Sequence, residues 1–395
     1  MYLTKEEERM LEGEYGYAVQ KSMEILVALG KIYKAERMIE IKSAQISGVS
    51  YKNLGEEGLE FLEDLARDGR VRILTTLNPC GMDLEGWREL GISEDFARNQ
   101  LRVIDAYLRL GVKPTLTCTP YLAGNKPGFG DHIAWSESSA VIYANSVLGA
   151  RTNREGGPSA LAAAIAGRTP LYGLHLEENR FPTVEVHAPR IEGVFEASAL
   201  GYLVGRLIGS GIPFFKGVGQ LSPDELKALG AGLAASGGIA LYHVEGVTPE
   251  ALRMREKRSM ERIEVDERDL VREADELGGE SMEPDLIFIG CPHASLEELT
   301  SFYTLLNGRR VRRETWILAS RAVRDEAEKL GLASRLSRLG VRIVCDTCPI
   351  VAPIRELGIR SVATNSFKAA YYCRNLNRLA VRLEPIEKLV EDALG

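Results

Sequence analysis

Apolar positions recur at two spacings that alternate along almost the whole chain. Short apolar runs such as "ERMIEIKSAQISGVSY", "RVRILTTLNPCG" and "VKPTLTCTPYLAG" end in loop residues and read as strands entering loops. Between them the period lengthens to that of a helix. Leu59, Leu62 and Leu65 share one face of "GEEGLEFLEDLARDG", and "SEDFARNQLRVIDAYLRLG" opens at Ser93 and Glu94 and stops at Gly111. The Ala- and Gly-rich stretches "SESSAVIYANSVLGA" and "GGPSALAAAIAG" predict buried, closely packed helices. Ser222, Pro223 and Glu225 form a capping box at the head of "SPDELKALGAGLAAS", and Thr248 with Pro249 predicts a second capped helix after the strand "GIALYHV". Strand and helix in alternation predict an α/β chain of several domains, with parallel or mixed sheets flanked by helices.

The pattern changes at residues 253–283, "MREKRSMERIEVDERDLVREADELGGESM" and its flanks, which are densely charged with mixed signs. This stretch reads as a solvated helix and linker. It divides the chain into an N-terminal and middle region, 1–280, with room for two subdomains, and a C-terminal region, 281–395. The latter holds a compact series of strand and helix units, "DLIFIGCPHASLEELTSFYTLL", "RETWILASRAVRDEAEKLGL", "VRIVCDTCPI" and "IRSVATNSFKAAYYC", expected to form a parallel sheet of its own.

Composition narrows the function. The 395 residues are 45% apolar and 27% charged, with a net charge of −7. That is an ordinary globular balance, and it lends no support to nucleic-acid binding, which shows a basic face. No apolar run approaches the roughly 18 residues a membrane-spanning helix needs. The N-terminal "MYLTKEEERMLEGEYG" lacks the apolar core of a signal peptide. Six cysteines are too few for a secreted disulfide scaffold, so the expected compartment is the reducing cytoplasm.

The cysteines matter by position. Cys80, Cys118, Cys291, Cys345 and Cys348 all follow strand-like runs, with Pro79, Pro120, Pro292 and Pro349 beside them. Ligands of α/β sheets gather beyond the carboxyl ends of the strands. Any single buried cysteine more often fills space, but five at strand tips predict a shared metal site. Cys345 and Cys348, as one CxxC, could pair with Cys291 and His293 around zinc. Thiolates alone would suit an iron–sulfur cluster, and three of them would leave one iron open to a substrate oxygen.

Other candidates are weaker. Gly48 between Ser47 and Ser50, and Arg151 with Arg154 before Gly156 and Gly157, are possible anion sites. Ser366 and Lys368 follow a strand, and Asp131, His132, Glu137 and Ser138 cluster before a helix. His175, His187 and His243 sit near apolar segments and read as structural.

Taken together, "SGVSYKNLGEEGLEFLEDLA", "LNPCGMD", "TCTPYL", "ESSAVIYANSVLGARTNREGGPSAL", "YHVEGVTPEA", "IGCPHASLEEL" and "CDTCP" resemble aconitase X over roughly residues 1–385. The resemblance implies an aconitase-like architecture and an iron–sulfur cluster, [4Fe-4S] or [3Fe-4S], acting as a Lewis acid. It assigns the metal ligands to Cys118, Cys291 and Cys348, with Cys345 as the alternate and Cys373 as a spare. It places substrate contacts at Gly48, Val49, Ser50, Asn78, Pro79, Glu137, Ser138 and Lys368, with Glu137 and Ser138 the candidate catalytic pair. One form of the family is a longer chain with a C-terminal swivelling domain that dehydrates cis-3-hydroxy-L-proline. The other, archaeal, form has separate subunits and dehydrates (R)-5-phosphomevalonate to trans-anhydromevalonate 5-phosphate in a mevalonate pathway. The chain ends at "EPIEKLVEDALG", without room for the swivelling domain, and so is expected to work as a large subunit. Its small-subunit partner, in a heterodimer, would supply a serine near the reacting carbon. Two alternatives stand beside this one: the hydroxyproline dehydratase, and a zinc-stabilised scaffold without chemistry.

Overall fold

The computed structural model describes residues 1–255, 260–279 and 282–395. The expected division between 280 and 281 falls outside the described residues, as does part of the charged linker.

Three sheets, each of parallel strands, organise the chain. In the first, Ser43–Ile46 lies between Leu74–Leu77 and Ala134–Trp135. All four residues of Ser43–Ile46 are buried, as a parallel strand covered on both faces requires. Met23, Leu26, Leu59, Val103 and Ile165, from surrounding helices, complete this core with Ile46 and Leu77. The second sheet runs in the order His243–Val244, Pro213–Lys216, Val184–His187, Glu261–Glu264. The third runs Arg342–Val344, Thr315–Ala319, Leu286–Ala294, Ser361–Thr364, Ala380–Leu383. Separate apolar clusters pack on its two faces, one shared with the helices of the middle region. The predicted α/β class, with parallel sheets flanked by helices, is the class observed.

Helices Val194–Ile208 and Pro223–Gly237 approach backbone to backbone. A Cβ on Gly201 would stand 2.1 Å from the Leu229 carbonyl oxygen, and one on Gly232 2.6 Å from that of Ser198. Glycine is required at this crossing because no side chain fits between the helices.

Three local expectations differ from the structure. The charged stretch is more than a linker. Glu261–Glu264 pairs with Val184–His187 as an edge strand, and helix Glu267–Gly278 buries Leu270 and Leu277. Charged residues on an edge strand also deter pairing with other chains. No α-helix starts at Thr248. That hydroxyl is bonded to the Val244 N–H at 2.9 Å, so it closes a turn back onto the strand instead of capping a helix. The run before Cys118 forms only a bridge from Lys113 to Thr76. Pro114 has no N–H to donate, and Leu116 adopts a left-handed φ of 46° that breaks the extended path.

Candidate active site

The ends of the first and third sheets face each other across a cavity of about 200 Å³. Its walls include Cys118, Cys291, Cys348, Asn78, Pro79, Glu137, Ser138 and Lys368. Cys118 follows the irregular segment alongside Leu74–Leu77. Cys291 sits where Leu286–Ala294 bends, and Gly290 permits the bend. Its φ of 95° favours glycine, and a Cβ there would meet the Leu318 carbonyl oxygen at 2.2 Å. Cys348 lies in the loop after Arg342–Val344.

Cys345 does not line this cavity, although it shares the CxxC with Cys348. Asp346, at a left-handed φ of 63°, turns the chain between them. The Cys345 N–H donates to Asp83 at 2.9 Å, and the Asp346 carbonyl accepts from the Cys80 N–H at 2.7 Å. Arg321 neutralises both carboxylates, bonding Asp83 at 3.0 Å and Asp346 through two nitrogens. Cys345 is thereby tied into the back of the loop. Cys80 is buried with its thiol on the Met82 carbonyl, and Cys373 is buried within helix Phe367–Asn375. Neither lines the cavity.

Glu137 caps helix Ser138–Ser146 and is the hub of a polar network. Asn78 Nδ2 donates to its Oε2 at 2.9 Å, Ser139 Oγ to its Oε1 at 3.1 Å, and Lys368 Nζ also to Oε1. Gln45 supports the network from the buried strand Ser43–Ile46, accepting from the Glu137 N–H at 3.0 Å and donating to Asn78 Oδ1 at 3.3 Å. Burial opposes the charge on Glu137, but the Lys368 ammonium and the Ser139 donors prevail and hold its pKa down to about 2. Burial likewise opposes the Lys368 charge, and Glu137 outweighs it, raising that pKa. The pair is ionised in the folded chain. Burial pushes the Cys118 thiol up to about 12 against the pull of Lys368, and it raises Cys291 and Cys348 as well.

Gly48, Val49 and Ser50 follow Ser47, which lines the cavity, but are not themselves among its lining residues. Gly48 has a left-handed φ of 79° and open space where a Cβ would be. The N–H groups of these three residues have no partner among the described residues. Ser50 Oγ donates to the Val351 carbonyl at 2.8 Å, and Lys52 Nζ bonds the Ala352 carbonyl at 3.1 Å and Asn377 at 2.7 Å. These contacts fasten the loop after Cys348 to the first sheet's region.

Of the weaker candidates, Arg154 lines the cavity and Arg151 does not. Arg151 instead bonds the His175 carbonyl. His132 and His175 face each other through their Nδ1 atoms at 3.0 Å, His187 bonds Glu185, and His243 bonds the Arg180 carbonyl. Ser136, His293 and Tyr372 are further wall residues. His293 was singled out only as half of a zinc pair, and Gln45 not at all. A polar residue inside an otherwise apolar strand was the one available signal for it. Among the described residues, no three His, Cys, Asp or Glu side chains converge as ligands of a single ion, and no helix is long and apolar enough to cross a membrane.

Comparison with known proteins gives the family and the fold. Family models for the aconitase X first, second and third domains match residues 1–178, 182–275 and 284–395. A Methanothermobacter thermautotrophicus protein named phosphomevalonate dehydratase large subunit is 52% identical, covering 94% of each chain. The cis-3-hydroxy-L-proline dehydratase of Pseudomonas aeruginosa is 37% identical over 98% of this chain and 69% of its own length. The crystal structure of Thermococcus kodakaraensis aconitase X in its holo-form superposes over the whole of both chains with a TM-score of 0.94 at 48% identity. The chain belongs to the aconitase X family.

Proposed function

We propose that the chain is the large subunit of a phosphomevalonate dehydratase. This hydro-lyase removes water from (R)-5-phosphomevalonate to give trans-anhydromevalonate 5-phosphate on an archaeal route to isoprenoids. A separate small subunit completes the site as a heterodimer. One observation carries the reading: three thiols, one buried and two half-buried, and an ionised Glu137–Lys368 pair line one cavity, with a loop of unpartnered N–H groups next to its lining residue Ser47. Identity near one half over nearly the full length favours this substrate over cis-3-hydroxy-L-proline, whose dehydratase is the more distant relative.

The donor set fits an iron–sulfur cluster. Cys118, Cys291 and Cys348 come from separate parts of the chain and line the same cavity, and thiolates are the donors such a cluster takes. The three thiols would bind it as thiolates, and the nearby Lys368 ammonium offsets that negative charge. When bound, such a cluster supplies a Lewis acid toward a departing hydroxyl.

The other roles fall to the chain's own residues. The N–H groups of Gly48, Val49 and Ser50 can hold a carboxylate or phosphate, and Asn78, Pro79 and Ser138 shape the wall against which the substrate rests. A carboxylate with its pKa near 2 is a weak base at neutral pH. Glu137 therefore orients the substrate, fixed by Asn78, Ser139 and Lys368, and removal of the C2 proton is assigned to the small subunit's serine.

The test is anaerobic co-purification of both subunits, followed by metal analysis and assay. Iron with acid-labile sulfide, and loss of water from phosphomevalonate but not from cis-3-hydroxy-L-proline, are expected. Stoichiometric zinc without turnover would support a scaffold subunit, and turnover of the imino acid alone would reassign the substrate.

A further inference from the structure

His293 is fully buried, and its backbone N–H and both ring nitrogens are engaged with segments that carry cavity thiols. Its backbone N–H donates to Cys118 Sγ at 3.2 Å. Its Nδ1 lies 3.0 Å from the hydroxyl of Thr117, the residue before Cys118. Its Nε2 lies 3.2 Å from the carbonyl of Thr347, the residue before Cys348. Cys291 stands two positions earlier on its own strand. The carbonyl of His293 accepts from Lys227 at 3.4 Å, and Lys227 is itself buried between Asp224 and Glu298.

The hydrogen-bond directions follow from the partners. A carbonyl oxygen only accepts, so Nε2 carries the hydrogen and Nδ1 accepts from the Thr117 hydroxyl. Thr117 Oγ1 in turn accepts from the Thr119 N–H at 3.1 Å. The ring thus has one donor and one acceptor, each aimed at a different thiol-bearing loop. Neither nitrogen is available to a metal or substrate.

We propose that His293 is a positioning residue that sets Cys118 and Cys348 against Cys291, its Nδ1 arm fixing the first and its Nε2 arm the second. The inference rests on the reading of these three thiols as ligands of one group, but its consequence is visible in the metal-free chain. A neutral buried hydrogen bond contributes on the order of 1 kcal/mol, so losing one arm should lower the ratio of chains with that thiol in place to chains with it displaced about fivefold.

The experiment bridges neighbouring thiols with dibromobimane in the full, metal-free chain and maps the joined pairs by peptide mass. His293→Asn keeps an acceptor where Nδ1 stood and loses the Nε2 arm. It should retain the Cys118–Cys291 pair while the ratio of Cys348 found in pairs to Cys348 left unpaired falls, by up to about fivefold. His293→Gln keeps a donor toward Thr347 and loses the Nδ1 arm, so Cys291–Cys348 should persist while pairs with Cys118 fall. If the two variants show the wild-type pattern, or the same uniform loss, the inference is overturned. Should either fail to fold by circular dichroism, Thr117→Val removes the Nδ1 partner alone. It should deplete the Cys118 pairs selectively, and an unchanged pattern would overturn the inference. Iron and sulfide are measured in the anaerobic two-subunit complex of each variant. Wild type without either, with the split pattern intact, sinks the cluster reading and leaves the positioning role standing. Wild type loaded with both, and no split, sinks the positioning role alone.

Discussion

At the scale of single residues, the site depends on charges that burial would otherwise suppress. Lys368→Met leaves Glu137 inside the protein without its counter-charge. Breaking a buried pair from one side costs about 3–5 kcal/mol. Urea unfolding should show that loss, and adding Glu137→Gln to the same chain should recover more than half of it. His175 shows the opposite behaviour. Burial holds its pKa down to about 3, helped by His132, Arg180 and Arg151. Its unfolded value is near 6.5, so the unfolded chain takes up the proton first as pH falls. Its contribution is complete above about pH 6.5 and is lost progressively below it, about 2 kcal/mol by pH 5. His175→Gln should flatten the stability profile between pH 7 and 5 if this ring is responsible. Part of the placement was legible in the chain. Glu137 and Lys368 stand at the heads of helices and Cys291 in a strand that bends at the cavity, whereas the run before Cys118, read as a strand, is irregular. Which of Cys345 and Cys348 lines the cavity was not legible from spacing, because it turns on the left-handed conformation of Asp346 and on Asp83, far away in sequence.

Elements were read correctly where one period dominated and misread where a side chain found another use. The capping box at Ser222 forms as expected, with Ser222 Oγ accepting from the Glu225 N–H. Thr248 and Pro249 carry a similar signature, but the hydroxyl is spent on the Val244 N–H, and the helix does not start. The charged stretch hid a strand because an edge position tolerates charge on its exposed side. At the crossing of Val194–Ile208 and Pro223–Gly237, small residues decide the packing. Gly232→Ala should drive these helices apart and cost about 1–3 kcal/mol, the usual toll of overpacking. The urea midpoint should fall accordingly, and an unchanged midpoint would mean that the crossing relaxes freely.

For the whole molecule, the cavity belongs to no single sheet. Cys118 and Glu137 come from the first region, Cys291, Cys348 and Lys368 from the third, and Lys227 reaches His293 from the middle. Periodicity identifies each sheet but says nothing about which strand ends will face one another, so this convergence could be inferred only from the clustering of thiols at loop starts. A group bound by Cys118 on one side and Cys291 and Cys348 on the other would join two regions. A ligand bound only by the folded state stabilises it by mass action. Removing metal from the anaerobic holoenzyme with a chelator should therefore lower its melting temperature, and Cys118→Ser should abolish the difference.

The wide sequence separation of Cys118 and Cys348 also constrains how the enzyme is made. During synthesis the first sheet and its thiol emerge before the third sheet that faces them exists. A nascent polypeptide cannot close this pocket until the residues through Lys368 have emerged, so a group held between the two sheets would be taken up only after that point.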